Sequence, residues 1–274
     1  MGVVMRLPLG TALFIMFLMS CPGHCGTDTS PDLQPKSPGQ AFGSLYKQVW
    51  TLPESIWTDS TDILSDKVNL CWLLAAAGGS IAMRQGGADD RIFDSFDDHK
   101  IIANHKGLDK FVDHAGSPDA HFVLTGLWYL ASVSKADSLN TERAWTMMRA
   151  LALTGTVTVG LKLAINDDTP NSKDLAWPSG HTSSSFTVAA VLDEFYGPKV
   201  GIPAYIGAGF VGYRMVESGD HWPSDIVFGA VLGYMVGHHV AGGKDLSIAG
   251  FQVLPIADSG PDRSVVGLAL HRRF

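Results

Sequence analysis

Between Asn69 and Val240 the chain is a succession of apolar segments of helical length joined by polar stretches, the longest residues 84–118, with no dominant strand-like alternation. That pattern restricts it to a mainly α fold, a bundle whose helices bury one another. The segments are Asn69 to Met83, Ala120 to Ser134, Thr141 to Ile165, a helix capped by Ser179 and running through Leu192 and Tyr196 to Gly197-Pro198, then Ile202 to Tyr213 and Ser224 to Val240. None offers eighteen clean apolar residues, and several carry Lys, His or repeated Gly, so they read as buried bundle helices. The tail differs: Ile248 to Pro255 and Ser264 to Leu270 flank Asp258-Ser259-Gly260-Pro261 and read as a short C-terminal β-hairpin.

The remaining organisation is simple. Residues 1–21 read as an export signal: Arg6, then an apolar run from Leu7 to Met19. Leu18-Met19-Ser20-Cys21 also fits a lipoprotein box with Cys21 as the lipidated residue; plain cleavage near Cys21 to Gly26 is the competing reading, and an uncleaved membrane anchor is a third. Residues 22–45, rich in Pro, Gly, Ser, Thr and Asp, read as a flexible tether. Residues 46–245 form the helical domain and 246–274 the tail. The chain is thus expected in an envelope or periplasmic compartment, associated with a membrane, where Cys25 and Cys71 are able to pair or to stay free.

A net charge of −7 does not advertise nucleic-acid binding, so any attraction for an anion has to be local. The local feature is Pro178-Ser179-Gly180-His181, followed by Arg214 and by His221-Trp222-Pro223-Ser224-Asp225, with Lys162 upstream. A helix N-terminus binds phosphate because its unpaired N–H groups and its dipole converge there. Ser179-Gly180-His181, opening an apolar helix, supplies such an end: Ser179 brings a hydroxyl, and Gly180 lets the backbone approach. Arg214 offers a forked contact to two oxygens. His221 and Asp225 are four apart and share a helix face, so the aspartate is able to fix one imidazole nitrogen and free the other for attack.

These residues resemble the type-2 phosphatidate phosphatase and vanadium-haloperoxidase superfamily, whose pattern is KxxxxxxRP, PSGH and SRxxxxxHxxxD. Lys162 and Pro170 match the first block, with Thr169 in place of its arginine; residues 178–181 match the second in full; His221 and Asp225 match the end of the third. Arg214 lies one position further from His221 than the pattern has it, strict register putting Met215 at the arginine position, and a one-residue bulge within Met215 to Asp220, a stretch that includes Gly219, would restore its reach. The resemblance implies a helical bundle with the site at one end. In it His221 would be the nucleophile, passing through phosphohistidine, Asp225 would orient it, and His181 would protonate the leaving group. Lys162, Ser179, Gly180 and Arg214 would hold the phosphoryl oxygens. It implies phosphatase action with no metal and no cofactor, on a phosphorylated lipid or a small phosphoester.

Two other readings stay open. Thr169, flanked by Asp167 and Asp168, suits a phosphate- or lipid-headgroup-binding envelope protein with an impaired site, and the architecture also suits a vanadate-dependent haloperoxidase. Lys173 is a candidate substitute for the missing guanidinium. The Asp/His-rich stretch from Asp89 to His114 reads as a solvated charge run rather than a metal site. Ser183-Ser184-Ser185 reads as helix packing, His238-His239 as a polar helix end, and Trp72, Trp128, Met147 and Met148 as core.

Overall fold

The computed structural model describes residues 38–243 and three strands beyond them, 247–248, 251–259 and 264–272. Cys21, Cys25 and the export segment lie outside the described residues, and Cys71 is exposed and has no disulfide partner among the described residues. The described residues form nine helices: α1 (Pro38–Ser65), α2 (Lys67–Gln85), α3 (Ala88–Asp98), α4 (Lys106–Gly116), α5 (Pro118–Ser134), α6 (Ser138–Ile165), α7 (Gly180–Tyr196), α8 (Pro198–Glu217) and α9 (Pro223–Val240). The tail pairs as an antiparallel sheet in the order β1 (Ser247–Ile248), β2 (Phe251–Ser259), β3 (Ser264–Arg272). Ser259 stands opposite Ser264 in this pairing. The fold is therefore mainly α, and the sequence-predicted hairpin is present as β2 and β3.

Six of the nine helices coincide with the sequence-predicted apolar segments, because each has a local stop or start. Ser179 caps α7 by accepting from the Thr182 N–H at 3.3 Å, and Gly197, at φ 73°, ends it. Ser117 and Asp137 cap α5 and α6 in the same way. α1, α3 and α4 do not show in the hydropathy pattern. α1 begins at Pro38, so part of the stretch whose composition predicts a tether is helical. α3 and α4 are short and mostly polar, so although amphipathic they bury little: Asp89 in α3, and Val112 and Gly116 in α4.

The core is one cluster of buried side chains, including Trp128, Tyr129, Met147, Leu151, Val191, Phe228, Leu232 and Val236. Trp72 is half-buried against a smaller group of Ala190, Tyr234 and Met235. The closest packing is between α7 and α9. Gly229, Gly233 and Gly237 repeat every fourth residue along α9 and press its backbone onto α7. A Cβ at Gly237 would stand 2.6 Å from the Thr187 carbonyl, and one at Gly233 would overlap the Ser183 carbonyl. The small hydroxyl residues of α7 complete the fit: Thr187 donates to the Gly233 carbonyl at 3.1 Å, and Thr158 of α6 shares a hydrogen bond with Ser183 at 3.1 Å. Ser183, Ser184 and Ser185 are all buried, in keeping with a packing role. This glycine seam sets the N-termini of α7 and α9 side by side, and the Ser179 N–H donates to the Asp225 carbonyl at 3.2 Å.

Candidate active site

The His-Asp pair is built on one helix start. His221 precedes α9 and Asp225 occupies its first turn. The His221 imidazole Nδ1 lies 3.2 Å from Asp225 Oδ2, which also accepts the Trp222 N–H at 3.0 Å. Asp225 thus caps the helix and holds the imidazole with the same oxygen. Its carboxylate is fully buried and His221 nearly so, at 7% exposure, so the pair is well shielded from water.

Arg214 is brought to the same end by a bent connection. α8 ends at Glu217, Gly219 takes φ 70°, and the N–H groups of Asp220 and His221 both donate to the Met215 carbonyl, at 3.1 and 3.0 Å. That is the bulge the longer spacing requires, and glycine supplies the left-handed residue it needs. Met215, the residue in strict register, is buried in the interior. Arg214 reaches Asp109 at 2.9 Å, Asp113 at 2.9 Å and Asp220 at 2.8 Å. Asp113 in turn lies 3.8 Å from His181 Nε2. His181, Arg214, Asp113 and Asp220 therefore form one charge cluster. Burial pulls the His181 imidazole below its ordinary value, the Asp113 carboxylate opposes this, and His221 and Arg214 add to it. Burial alone would raise the Asp220 carboxyl, but hydrogen bonds from Ser218 and Lys173 and the charges of Lys173 and Arg214 hold it at about 2.

The other sequence-predicted residues are placed as follows. Ser179 is fully buried at the start of α7. Gly180 has room for a close neighbour, since a Cβ there would meet only the Thr158 methyl at 3.8 Å. The Lys162 ammonium donates to the carbonyls of Ala176, at 3.0 Å, and Leu175, and is near enough to Asp225 to feel its charge. Thr169 is buried and its hydroxyl donates to Asn171 Oδ1 at 2.6 Å. The Lys173 ammonium, the candidate substitute for the missing guanidinium, pairs at 3.0 Å with Asp220, the aspartate that also holds Arg214.

Three aspartates of the stretch read as solvated have protein partners. Asp89 is buried, takes the Ser224 N–H at 2.9 Å and the Ser224 hydroxyl at 2.5 Å, while Asp109 and Asp113 face Arg214. Each has a partner more than a hundred residues away or on another helix, a relation no local window contains. The expected polar helix end at His238 is likewise buried, with Nδ1 2.7 Å from Glu194. Sequence reasoning also passed over Arg84. It lies at the end of α2 and lines a cleft of about 280 Å³ with Asp89, Asp90, Asp167, Asp168, Thr169 and Trp222.

His121 of α5 is a further unanticipated group. It lines a small apolar cavity of about 20 Å³ with Trp128, Met147 and Leu192, and its Nδ1 is buried without a hydrogen-bond partner. Burial drives its pKa from 6.5 down to about 4, against a hydrogen bond with the Ala115 backbone, and nearby His181 adds to the lowering. His121 is neutral in the fold, whereas in the unfolded chain it takes up a proton near pH 6.5. Stability is thus expected to fall as pH drops through 6.5, by about 3 kcal/mol in total once pH has passed 4. Between pH 7 and pH 5, His121→Leu should lose about 2 kcal/mol less than the wild type. Thermal midpoints at the two pH values test this, and equal losses in both proteins would refute it.

The chain was compared with known proteins. Residues 161–242 match the family model described as the PAP2 superfamily. The chain carries a PAP2 superfamily domain. The PAP2 segment runs from the end of α6 through α9 and includes every sequence-predicted site residue. A lipid A 1-phosphatase of Porphyromonas gingivalis is 35% identical over 65 residues, which is 23% of this chain and 15% of that protein's length. The structure overlaps that of a transmembrane PAP2-type phosphatidylglycerolphosphate phosphatase from Bacillus subtilis with a TM-score of 0.52 and 18% identity, over 63% of this chain and 94% of that one. Aquifex aeolicus LpxE overlaps at a TM-score of 0.46 and 22% identity, over 55% and 92% of the two chains. The overlap with the B. subtilis structure shows that the described helices share its helical-bundle fold.

Proposed function

We propose that this protein is a metal-independent phosphoric-ester hydrolase that removes phosphate from a lipid phosphate or diphosphate. The reading rests above all on the buried His221–Asp225 pair, 3.2 Å apart beside the N-terminus of α7. With Nδ1 donating to Asp225, His221 Nε2 keeps a lone pair. It attacks phosphorus, a phosphorus–nitrogen bond forms, and the bond to the leaving oxygen breaks. His181, protonated, gives that oxygen its proton. Water then attacks the phosphohistidine and loses a proton to His181, and phosphate departs as His221 is regenerated. Ser179, Gly180 and Arg214 are the groups for the phosphoryl oxygens, with Lys162 behind them. An anionic phosphate next to His181 favours its protonated form, which burial otherwise disfavours.

A lipid substrate is supported by the molecule's surface and by its relatives. Ile202, Ile206 and Phe210 are exposed along one face of α8, as are Val159 and Leu163 on α6. Among the described residues α6 alone is long and apolar enough to cross a membrane, and only 28% of its apolar stretch is buried in the bundle. The P. gingivalis relative is a phosphatase of lipid A, and the B. subtilis neighbour is one of phosphatidylglycerolphosphate.

A second reading has its own support. Arg214 is already engaged by three aspartates and Thr169 offers no charge, which suits a protein that binds phosphate without cleaving it. Phosphate release in EDTA from phosphatidate, a polyprenyl diphosphate and an aryl phosphate separates the two. Release from the lipids, faster than from the aryl phosphate, is expected; binding of all three without release would establish the second reading.

A further inference from the structure

We propose that Arg84 is a positioning residue for the His221–Asp225 pair. This inference rests on the hydrolase reading above and adds to it a residue that lies outside the PAP2 segment. Asp225 Oδ2 is used by His221 and Trp222. Its other oxygen, Oδ1, accepts from the Arg84 guanidinium at 3.2 Å. A carboxylate with no exposure to water depends on protein donors for both oxygens, and Arg84 supplies the second.

The arginine is itself held in place. Its guanidinium pairs with Asp167, lies 3.6 Å from Asp89 and sits 5.9 Å from the centre of the Trp222 ring. Asp89 grips the Ser224 backbone and hydroxyl, and Ser80, one turn back on α2, donates to the Ser224 carbonyl at 3.1 Å. The α2–α3 corner therefore clamps the first turn of α9 from outside, with Arg84 the member that touches the catalytic pair. A carboxylate fixed at both oxygens cannot rotate, so the imidazole it holds stays aimed. Such outer contacts to a catalytic pair carry factors of roughly 10 to 100 in rate.

Arg84→Met is expected to lower kcat roughly 10- to 100-fold with KM within about twofold, and Arg84→Lys, which keeps the charge but loses the fork, to recover part of the loss. Arg149→Met, which removes the arginine of the pair with Asp59 at 2.8 Å, is the control for loss of an arginine–aspartate pair elsewhere and should leave kcat unchanged. A raised KM with intact kcat would mean that Arg84 binds substrate instead, and unchanged kinetics would mean that it does nothing for the pair; either overturns the proposal. If Arg84→Met does not fold, Arg84→Lys alone decides by the same split. Long-range proton–nitrogen spectra of the His221 ring give a readout independent of turnover. The Nδ1 proton signal should shift or broaden in the Arg84 variants, and an unaltered signal would refute the proposal. Should the wild type release no phosphate, the hydrolase reading fails by itself, while these spectra still test whether Arg84 positions the imidazole.

Discussion

His221→Ala is expected to lower phosphate release on the order of 10,000-fold or more, because it removes the attacking nitrogen and leaves no second nucleophile at that point. Asp225 would keep the Trp222 N–H and Arg84, so the α9 cap should survive and the variant should still fold. KM for the lipid phosphate should change little, since the groups assigned to the phosphoryl oxygens are untouched. The check is single-turnover release combined with acid-labile, base-stable labelling of the protein by radioactive phosphate: the wild type should label and the variant should not. Labelling that persists in His221→Ala would move the nucleophile elsewhere and overturn the mechanism.

Asp225→Asn is expected to cost roughly 1,000- to 10,000-fold in kcat although it only replaces one carboxylate oxygen by an NH2 group. The three partners of this side chain are the Trp222 N–H, the Arg84 guanidinium and, when it is protonated there, His221 Nδ1. All three are donors, and an amide has one acceptor oxygen. If that oxygen faces Trp222, the NH2 opposes Arg84. If it faces Arg84, the NH2 opposes Trp222 and drives His221 to the tautomer whose Nε2 carries the proton, with no lone pair to attack. Either way a buried donor is left unpaired, at a cost of about 1 to 3 kcal/mol of stability. Steady-state kinetics and thermal unfolding measured together test both parts. A variant within tenfold of wild-type kcat would show that Asp225 serves the fold and not the chemistry.

Much of this molecule was legible in the chain because much of its information is local. The His221–Asp225 pair is an i, i+4 relation on a helix start, and Ser179 declares the start of α7 by its own capping bond. The hairpin between β2 and β3 follows from two apolar stretches around one turn. Even the departure at Arg214 was readable, since Gly219 is the residue that permits the bend bringing it back. Where apolar residues were dense, as in α5, α6 and α9, helix existence and extent came close. Where the helix was short and mostly polar, as in the amphipathic α3 and α4, they did not.

What the sequence by itself determined, then, is the helical class, six of the nine described helices in their order and the identity of the catalytic candidates, each written in a span of a few residues. Only the tertiary structure decided who stands beside them. The glycine seam of α9 lets two backbones touch and so joins the starts of α7 and α9. The corner after α2 delivers Arg84 to Asp225, and α4 delivers Asp109 and Asp113 to Arg214. A charged side chain's spacing in the chain gives no sign of which opposite charge it will meet. That is fixed when burial removes water as its partner and leaves the nearest oppositely charged group across the packed interface.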